Sequence, residues 1–255
     1  MVSSTPPNPT ASIIVIGNEV LSGRTQDANI KYIATRLGEL GIVLREVRII
    51  PDIIEMIVRT VNEMRASYDH VFTTGGIGPT HDDITSECIA AAFGVAWVKQ
   101  PQVWARMEAH YPPGQFNAAR QRMATMPAGA VIIENGHIAP GFSMGNVHVM
   151  AGVPAIMRLM FEALAPQLQG GAAIISDAVH SNDLREGDLA AGLSAIQDRY
   201  TALDIGSYPY FRNNVVGVTI VAKGIDAAQV RAAIEEVQEL FRSLGAEPIA
   251  GEAAG

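Results

Sequence analysis

Residues 73–85, TTGGIGPTHDDIT, combine two chemistries that oppose each other. Gly75, Gly76 and Gly78 strip side chains from a turn, which lets backbone amides approach a phosphate. His81, Asp82 and Asp83 then place two carboxylates where that phosphate would sit. A divalent cation between carboxylate and phosphate removes the conflict, because magnesium commonly takes one or two carboxylates plus substrate phosphates. The loop therefore predicts a metal held by Asp83 with Asp82, magnesium first, with cobalt or manganese as alternatives. In the competing reading one Asp caps the following helix, or the glycines only make a turn. Thr74, Pro79 and Thr80 complete the loop, and the amides of 74–80 are expected to hold a diphosphate.

A second polar stretch, GNEVLSGRTQDAN at 17–29, follows an apolar run. Gly17 and Asn18 open it, and Glu19, Asp27 and Asn29 cluster there with Ser22 and Thr25. It reads either as a site loop or as a solvated connection. Asp52 follows Pro51 at the next strand-to-helix junction, where it reads as an N-cap, a site carboxylate or both.

Other motifs do not hold. GFSMG at 141–145 satisfies the serine-hydrolase G-x-S-x-G pattern, but that elbow needs a strand before and a helix after. Pro140 precedes it and a strand-like run follows, so a hairpin is expected. The six histidines show no zinc spacing, and there is neither a P-loop nor a complete G-x-G-x-x-G. Ser207–Phe211, SYPYF, reads as packing rather than a ligand platform.

The elements that must position these residues follow from periodicity. Apolar runs at 12–16, 42–50 and 70–74 read as strands. Helical spacing over 27–40, from 52 onward and over 84–93 alternates with them. This order predicts an α/β, three-layer α/β/α, mostly parallel sheet, in which ligands bind beyond the carboxyl ends of the strands. The loops after 16 and after 74 both lie at such ends and are expected to converge. Residues 100–126 read as two helices broken at Pro112-Pro113, 131–142 and 146–150 as edge strands, and 153–164 as a closing helix. Gly170-Gly171 marks a boundary. Beyond it a strand (172–178), a helix (184–200), two strands (203–208, 215–222) and a helix (226–244) suggest a small α+β domain of about 80 residues. The expected organisation is a disordered tail at 1–10, an α/β domain at 11–168 and a small α+β domain at 171–250.

Composition bounds the function. The 255 residues are 48% hydrophobic and 17% charged, with a formal net charge of −8. No basic stripe is present to displace counterions, so nucleic acid is not an expected partner. No apolar run approaches the roughly 18 residues of a membrane span, and the first ten residues do not read as a signal peptide. Cys88 is the only cysteine, in keeping with a reducing compartment. A cytoplasmic protein is expected.

Taken together, IVIGNEVLSGRTQDAN, TTGGIGPTHDDIT, MPAGAVIIENGHIAPGF and AGVP make residues 11 to 165 resemble the MoaB/MogA-type molybdopterin-binding domain family. Within it the chain is most similar to the CinA-like (competence/damage-inducible protein A) branch. The segment after Gly170 is similar to the α+β segment that follows in CinA-like proteins. No counterpart of the nicotinamide mononucleotide deamidase domain fits within these residues, and that activity is not expected. The resemblance implies a pocket built from the loops above, including Gly152 and Pro154 of AGVP. It implies cleavage of a diphosphate such as ADP-ribose or FAD, with Asp52 and Asp83 at the positions of a catalytic acidic pair and Asp82 as part of the CinA-like loop; Glu19, read from its own loop, completes the expected catalytic set. It also implies self-association as a dimer or trimer. The alternatives are adenylyl transfer to molybdopterin from ATP, or a non-catalytic pterin- or nucleotide-binding module. Asn18 stands where an Asp is usual, Ala151 replaces a Pro, and Ile156 occupies the place of a common Glu, which favours the last alternative.

Overall fold

The computed structural model describes residues 7–212 and 215–253. They form two compact units, 1–171 and 172–255. In the first, β1 (Thr10–Ile16), β2 (Val43–Ile50) and β3 (His70–Thr74) are separated by a short α1 (Asn18–Leu21), α2 (Asn29–Glu39) and α3 (Ile54–Ser67). Then come α4 (Thr85–Phe93), β4 (Trp97–Lys99), α5 (Pro101–His110), α6 (Ala118–Arg122), β5 (Thr125–Pro127) and β6 (Val131–Ile133). A hairpin of β7 (Gly141–Met144) and β8 (Val147–Met150), then α7 (Pro154–Leu164), close the unit.

The main sheet has the order β2-β1-β3-β8-β7-β6. β2, β1, β3 and β8 run parallel, while β7 and β6 are antiparallel additions. This is an α/β fold with a mostly parallel sheet. Successive side chains of a strand face opposite ways, so β1 feeds two cores. Ile14 and Ile16 pack with α3, α4 and α5 through Ile57, Val61, Ile89, Val103 and Met107. Ala11, Ile13 and Val15 pack with α2 and α7 through Ile33, Leu37, Met157, Phe161 and Leu164. Because β2 lies on one side of β1 and β3 on the other, strand order reverses there, and a crevice opens beyond their carboxyl ends.

The second unit holds β9 (Ile175–Ser181), α8 (Glu186–Arg199), β10 (Asp204–Arg212), β11 (Val215–Gly224), α9 (Ala227–Ser243) and β12 (Ile249–Ala250). Its antiparallel sheet has the order β10-β11-β9-β12. α8 and α9 pack Leu189, Ile196, Val230, Val237 and Phe241 against Val179, Val218 and Ile220.

Several expectations need correcting. Residues 1–6 of the expected tail lie outside the described residues. The tail does not extend to 10, because the Thr10 amide and hydroxyl both donate to Asp69 Oδ2 at 2.7 Å and anchor the start of β1. Residues 100–126 hold the two expected helices, α5 and α6, on either side of Pro112-Pro113, but the stretch ends in β5, which pairs with β4 in a two-stranded ribbon too short for a periodic signal. β9 begins later than expected, and β12 was not foreseen. Asp52 does not cap α3, whose first turn has no side-chain cap.

The GFSMG serine lies in the β7–β8 hairpin, where Ser143 pairs with His148. Its Oγ lies 2.8 Å from His148 Nδ1, and His148 Nε2 lies 3.4 Å from His70 Nδ1. Burial, with His70 alongside, lowers the His148 pKa to about 3. The folded state thus rejects a proton that the unfolded chain accepts below the ordinary histidine value. The stability this contributes is complete above about pH 6.5 and is lost as pH falls toward 3.

Two predictions follow from this packing. Between pH 6.5 and 5, wild-type unfolding free energy should fall relative to His148→Asn by up to about 1.4 kcal/mol per pH unit, read by urea denaturation. Parallel pH profiles would remove His148 as the cause. In the turn after β3, Gly75 has φ +101°, and a Cβ there would lie 2.1 Å from the Ile16 carbonyl oxygen. Gly75→Ala should cost at least about 2 kcal/mol by the same measurement.

Candidate functional site

Three strand ends meet at the glycine turn. The Gly75 amide donates to Met150 O at the end of β8, at 3.2 Å. Its α-carbon lies so close to Gly152 that a Cβ on the latter would come within 3.3 Å of it. Gly76, with φ +67°, accepts the Thr85 amide on its carbonyl at 2.9 Å. The Thr85 hydroxyl donates to Gly75 O at 3.0 Å. These bonds pull the loop back over the first turn of α4. The amides of Gly76, Ile77 and Gly78 have no acceptor among the described residues.

Those three residues line a cavity of about 390 Å³. Glu19, Gly75, Pro79, Asp83 and Gly152 line it too, so the carboxylates of the first and third loops face one space. A smaller adjoining cavity of about 50 Å³ is lined by Glu19, Asp27, Asn29, Thr74, Gly75, Gly152 and Pro154. At its wall, buried Asn29 donates to Gly152 O at 2.8 Å, while its Oδ1 and the Thr74 hydroxyl find no protein partner. That space exceeds the roughly 10–15 Å³ needed for one water, and the unpaired atoms supply polar contacts.

The carboxylates divide into separate tasks. Asp27 Oδ1 accepts from the Asn29 and Ile30 amides at 3.0 and 2.8 Å and caps α2. Asp83 Oδ2 accepts from the Thr80 amide at 2.7 Å and from the Thr80 hydroxyl. Neither Asp82 nor Asp83 caps α4, which has no side-chain cap, so the capping alternative fails. Asp52 Oδ2 accepts from the Asn18 amide at 2.9 Å, tying the second loop to the first. Burial raises the Asp52 pKa, the Asn18 bond opposes this, and the Glu19 and Asp82 charges raise it further. The Thr80 hydroxyl holds exposed Asp82 below the usual carboxylate range.

Of the anticipated residues, Glu19, Asp27, Asn29, Thr74, Gly75, Gly76, Gly78, Pro79, Asp83, Gly152 and Pro154 line one or both cavities. Gly17, Asn18, Asp52, Thr80 and Asp82 line neither. Asn18 is tied to Asp52 and Thr80 to Asp83, while Gly17 and Asp82 enter neither bond. Asn18 serves through its backbone, so the missing Asp side chain leaves that bond intact.

Sequence reasoning missed Ile77, Met123, His137, Ala139, Val153 and Met160 on the cavity wall. His137 lies in ENGHIAPG, where no motif marks it as a site residue. Its Nδ1 accepts the Ala139 amide at 3.3 Å. Arg122, also missed, donates to Asp83 O at 3.4 Å and lies 3.5 Å from Glu87. Among the described residues no three His, Cys, Asp or Glu side chains are grouped closely enough to hold a metal unaided. The all-oxygen donors suit a hard cation that completes its shell with ligand phosphates and water.

A mostly parallel sheet with a crevice at its switch point is the architecture in which α/β domains bind ligands. Residues 12–170 match the family described as "Probable molybdopterin binding domain", and 175–247 match "FAD synthase, middle domain". The chain belongs to the molybdopterin-binding-domain family. A protein from Archaeoglobus fulgidus is 31% identical over 90% of this chain and 96% of its own. A CinA-like protein from Synechococcus sp. (strain RCC307) is 32% identical over 94% of this chain. A "Probable FAD synthase" from Caenorhabditis elegans is 28% identical over 92%. The chain spans 60% and 50% of those last two relatives. The crystal structure of the protein CinA from Thermoplasma acidophilum matches with a TM-score of 0.60 at 29% identity. That match covers 64% of this chain and 99% of the other.

Since the Asp52 pKa is raised, its charge opposes folding above that pKa, and the opposition fades as pH falls through it. Asp52→Asn keeps an oxygen for the Asn18 amide and removes the charge. It should leave the ligand-free protein as stable or more stable, by under about 1 kcal/mol in chemical denaturation at pH 7. A clear loss of stability would show that the ionised carboxylate is a structural requirement.

Proposed function

We propose that the first unit is a metal-assisted nucleotide diphosphatase that cleaves the phosphoanhydride of ADP-ribose, FAD or a similar adenine dinucleotide. The observation that carries this reading is the run of three unpartnered amides, 76–78, lining one cavity with the Glu19 and Asp83 carboxylates. Consecutive free amides after a left-handed glycine make an anion-binding concavity. A carboxylate beside it needs a cation before a diphosphate is tolerated. Asp83 and Asp82 would hold that cation, magnesium first, with cobalt or manganese as alternatives. Bound there, it would neutralise the diphosphate and polarise the phosphorus.

The protein's own groups then divide the work. The amides of 76–78 would hold the phosphate oxygens and stabilise charge developing at phosphorus. Water attacks one phosphorus, its bond to the bridging oxygen breaks, and the departing phosphate carries the bond's electron pair. Such a leaving group needs little protonation, so the demand falls on accepting the proton of water. Glu19 lines the cavity, and Asp52 beside it has the raised pKa that makes a carboxylate a better acceptor. The match of the second unit to an FAD synthase segment supports a flavin dinucleotide among the substrates. A homo-oligomer, dimer or trimer, and a cytoplasmic location belong to the same proposal.

The test is incubation with ADP-ribose or FAD plus magnesium, cobalt or manganese, and separately with ATP plus molybdopterin. Release of AMP from a dinucleotide without any acceptor is expected. Asp83→Asn should lower that rate by about 100-fold or more while the melting temperature stays near wild type. Dependence on molybdopterin would instead establish adenylyl transfer. Tight binding with no turnover under any metal would establish a binding module, a reading that the apolar Ile156 on the cavity wall favours.

A further inference from the structure

A third space adjoins this site. A groove of about 620 Å³ is lined by Gln26, Asp27, Ala28, Lys31, Tyr32, Thr35, Arg36 and Arg158. Gln26, Asp27 and Ala28 also line the small cavity beside Glu19, which shares Glu19, Gly75 and Gly152 with the larger one. The three spaces are therefore consecutive, running from the glycine loop past Asn29 and out along α2 toward α7. A dinucleotide is elongated, and its diphosphate can occupy only the inner part.

The groove's charges are not those of an ordinary solvated helix face. Arg36 is neutralised by Glu162 at 2.8 Å and by Glu39. Tyr32 donates its hydroxyl to Glu162, and its ring meets Phe161 edge-on, so the wall is fixed. The Arg158 guanidinium sits 4.9 Å from the Tyr32 ring centroid. Arg158 and Lys31 make no ion pair among the described residues. The one carboxylate lining the groove, Asp27, is taken up by the Asn29 and Ile30 amides. Lys31 and Arg158 thus present two cations to the groove with no ion pair among the described residues, on a protein of net charge −8.

We infer that this groove is a second anion subsite, formed by Lys31 and Arg158, which takes a phosphate carried on the distal ribose of the dinucleotide. This rests on the proposed function and adds a selectivity to it. A dinucleotide phosphorylated on that ribose is preferred over its unphosphorylated counterpart. The guanidinium offers a fork of donors to a phosphate, and the ammonium offers a point charge.

The experiment compares ADP-ribose with ADP-ribose 2′-phosphate by calorimetry in magnesium, together with AMP, on wild type, Lys31→Gln, Arg158→Gln and the double variant. Wild type should bind the phosphorylated ligand about tenfold more tightly, as expected for one charge-assisted phosphate contact. The preference should shrink in each single variant and vanish in the double, with AMP affinity unchanged. Equal wild-type affinities overturn the subsite, as does a preference that survives the double variant or an AMP affinity that falls in step. Turnover separates the two claims. If the preference is present but neither AMP from ADP-ribose nor adenosine 2′,5′-bisphosphate from its 2′-phosphate is released, the diphosphatase reading fails and the subsite stands. If AMP is released without any preference, the subsite fails and the chemistry stands. If neither dinucleotide binds, both fail.

Discussion

The site depends on one close backbone approach. Gly75 lies against the Ile16 carbonyl at the end of β1, takes the Met150 carbonyl at the end of β8, and lies beside Gly152. A side chain on Gly75 would separate these strand ends, and the crevice would widen into open surface. The glycine is therefore structural first. The cavity beside the loop and the three amides without an acceptor among the described residues follow from a turn that glycine conformations allow. This reverses the simplest reading of a glycine-rich loop, in which the missing side chains serve the ligand directly. Gly76 makes the same point, since a Cβ there would lie 2.1 Å from the Thr85 hydroxyl oxygen.

How much of this the sequence shows depends on the range of the interaction. Strands β1 to β3 and the helices between them are legible because each carries its own period and its own stop signal, such as Gly41 after α2. The convergence of the first and third loops is legible from topology, since parallel strands place consecutive loops at one end of a sheet. The ribbon of β4 and β5 is not legible, because three residues carry no period and its pairing spans Trp97 to Pro127. Asp52 shows where local reasoning stops. A strand-Pro-Asp-helix order describes an N-cap, yet the carboxylate turns to an amide 34 residues away. The resemblance located the carboxylates, but it could not tell which of them reach the cavity and which stand at its rim. His137 and Arg122 escaped for a related reason. Each arrives from a segment with no motif of its own and is placed by the packing of distant elements.

The acidity of the site is the remaining problem, and its distribution supplies an answer. Asp27 and Asp83 are each held by hydrogen bonds within their own loops. Asp52 is not: burial and the Glu19 and Asp82 charges weigh against its ionised form, and a single amide offsets them. Such tension persists in a fold when the surroundings over-determine it, and it marks a position where an incoming charge of opposite sign gains most. The groove adds two cations, Lys31 and Arg158, that form no ion pair among the described residues, beside an acidic centre. Read outward from the glycine loop, the first unit presents free amides, then carboxylates, then the Lys31 and Arg158 cations. A ligand that matches this order has an anionic middle able to share a cation with the carboxylates and a further negative charge beyond it.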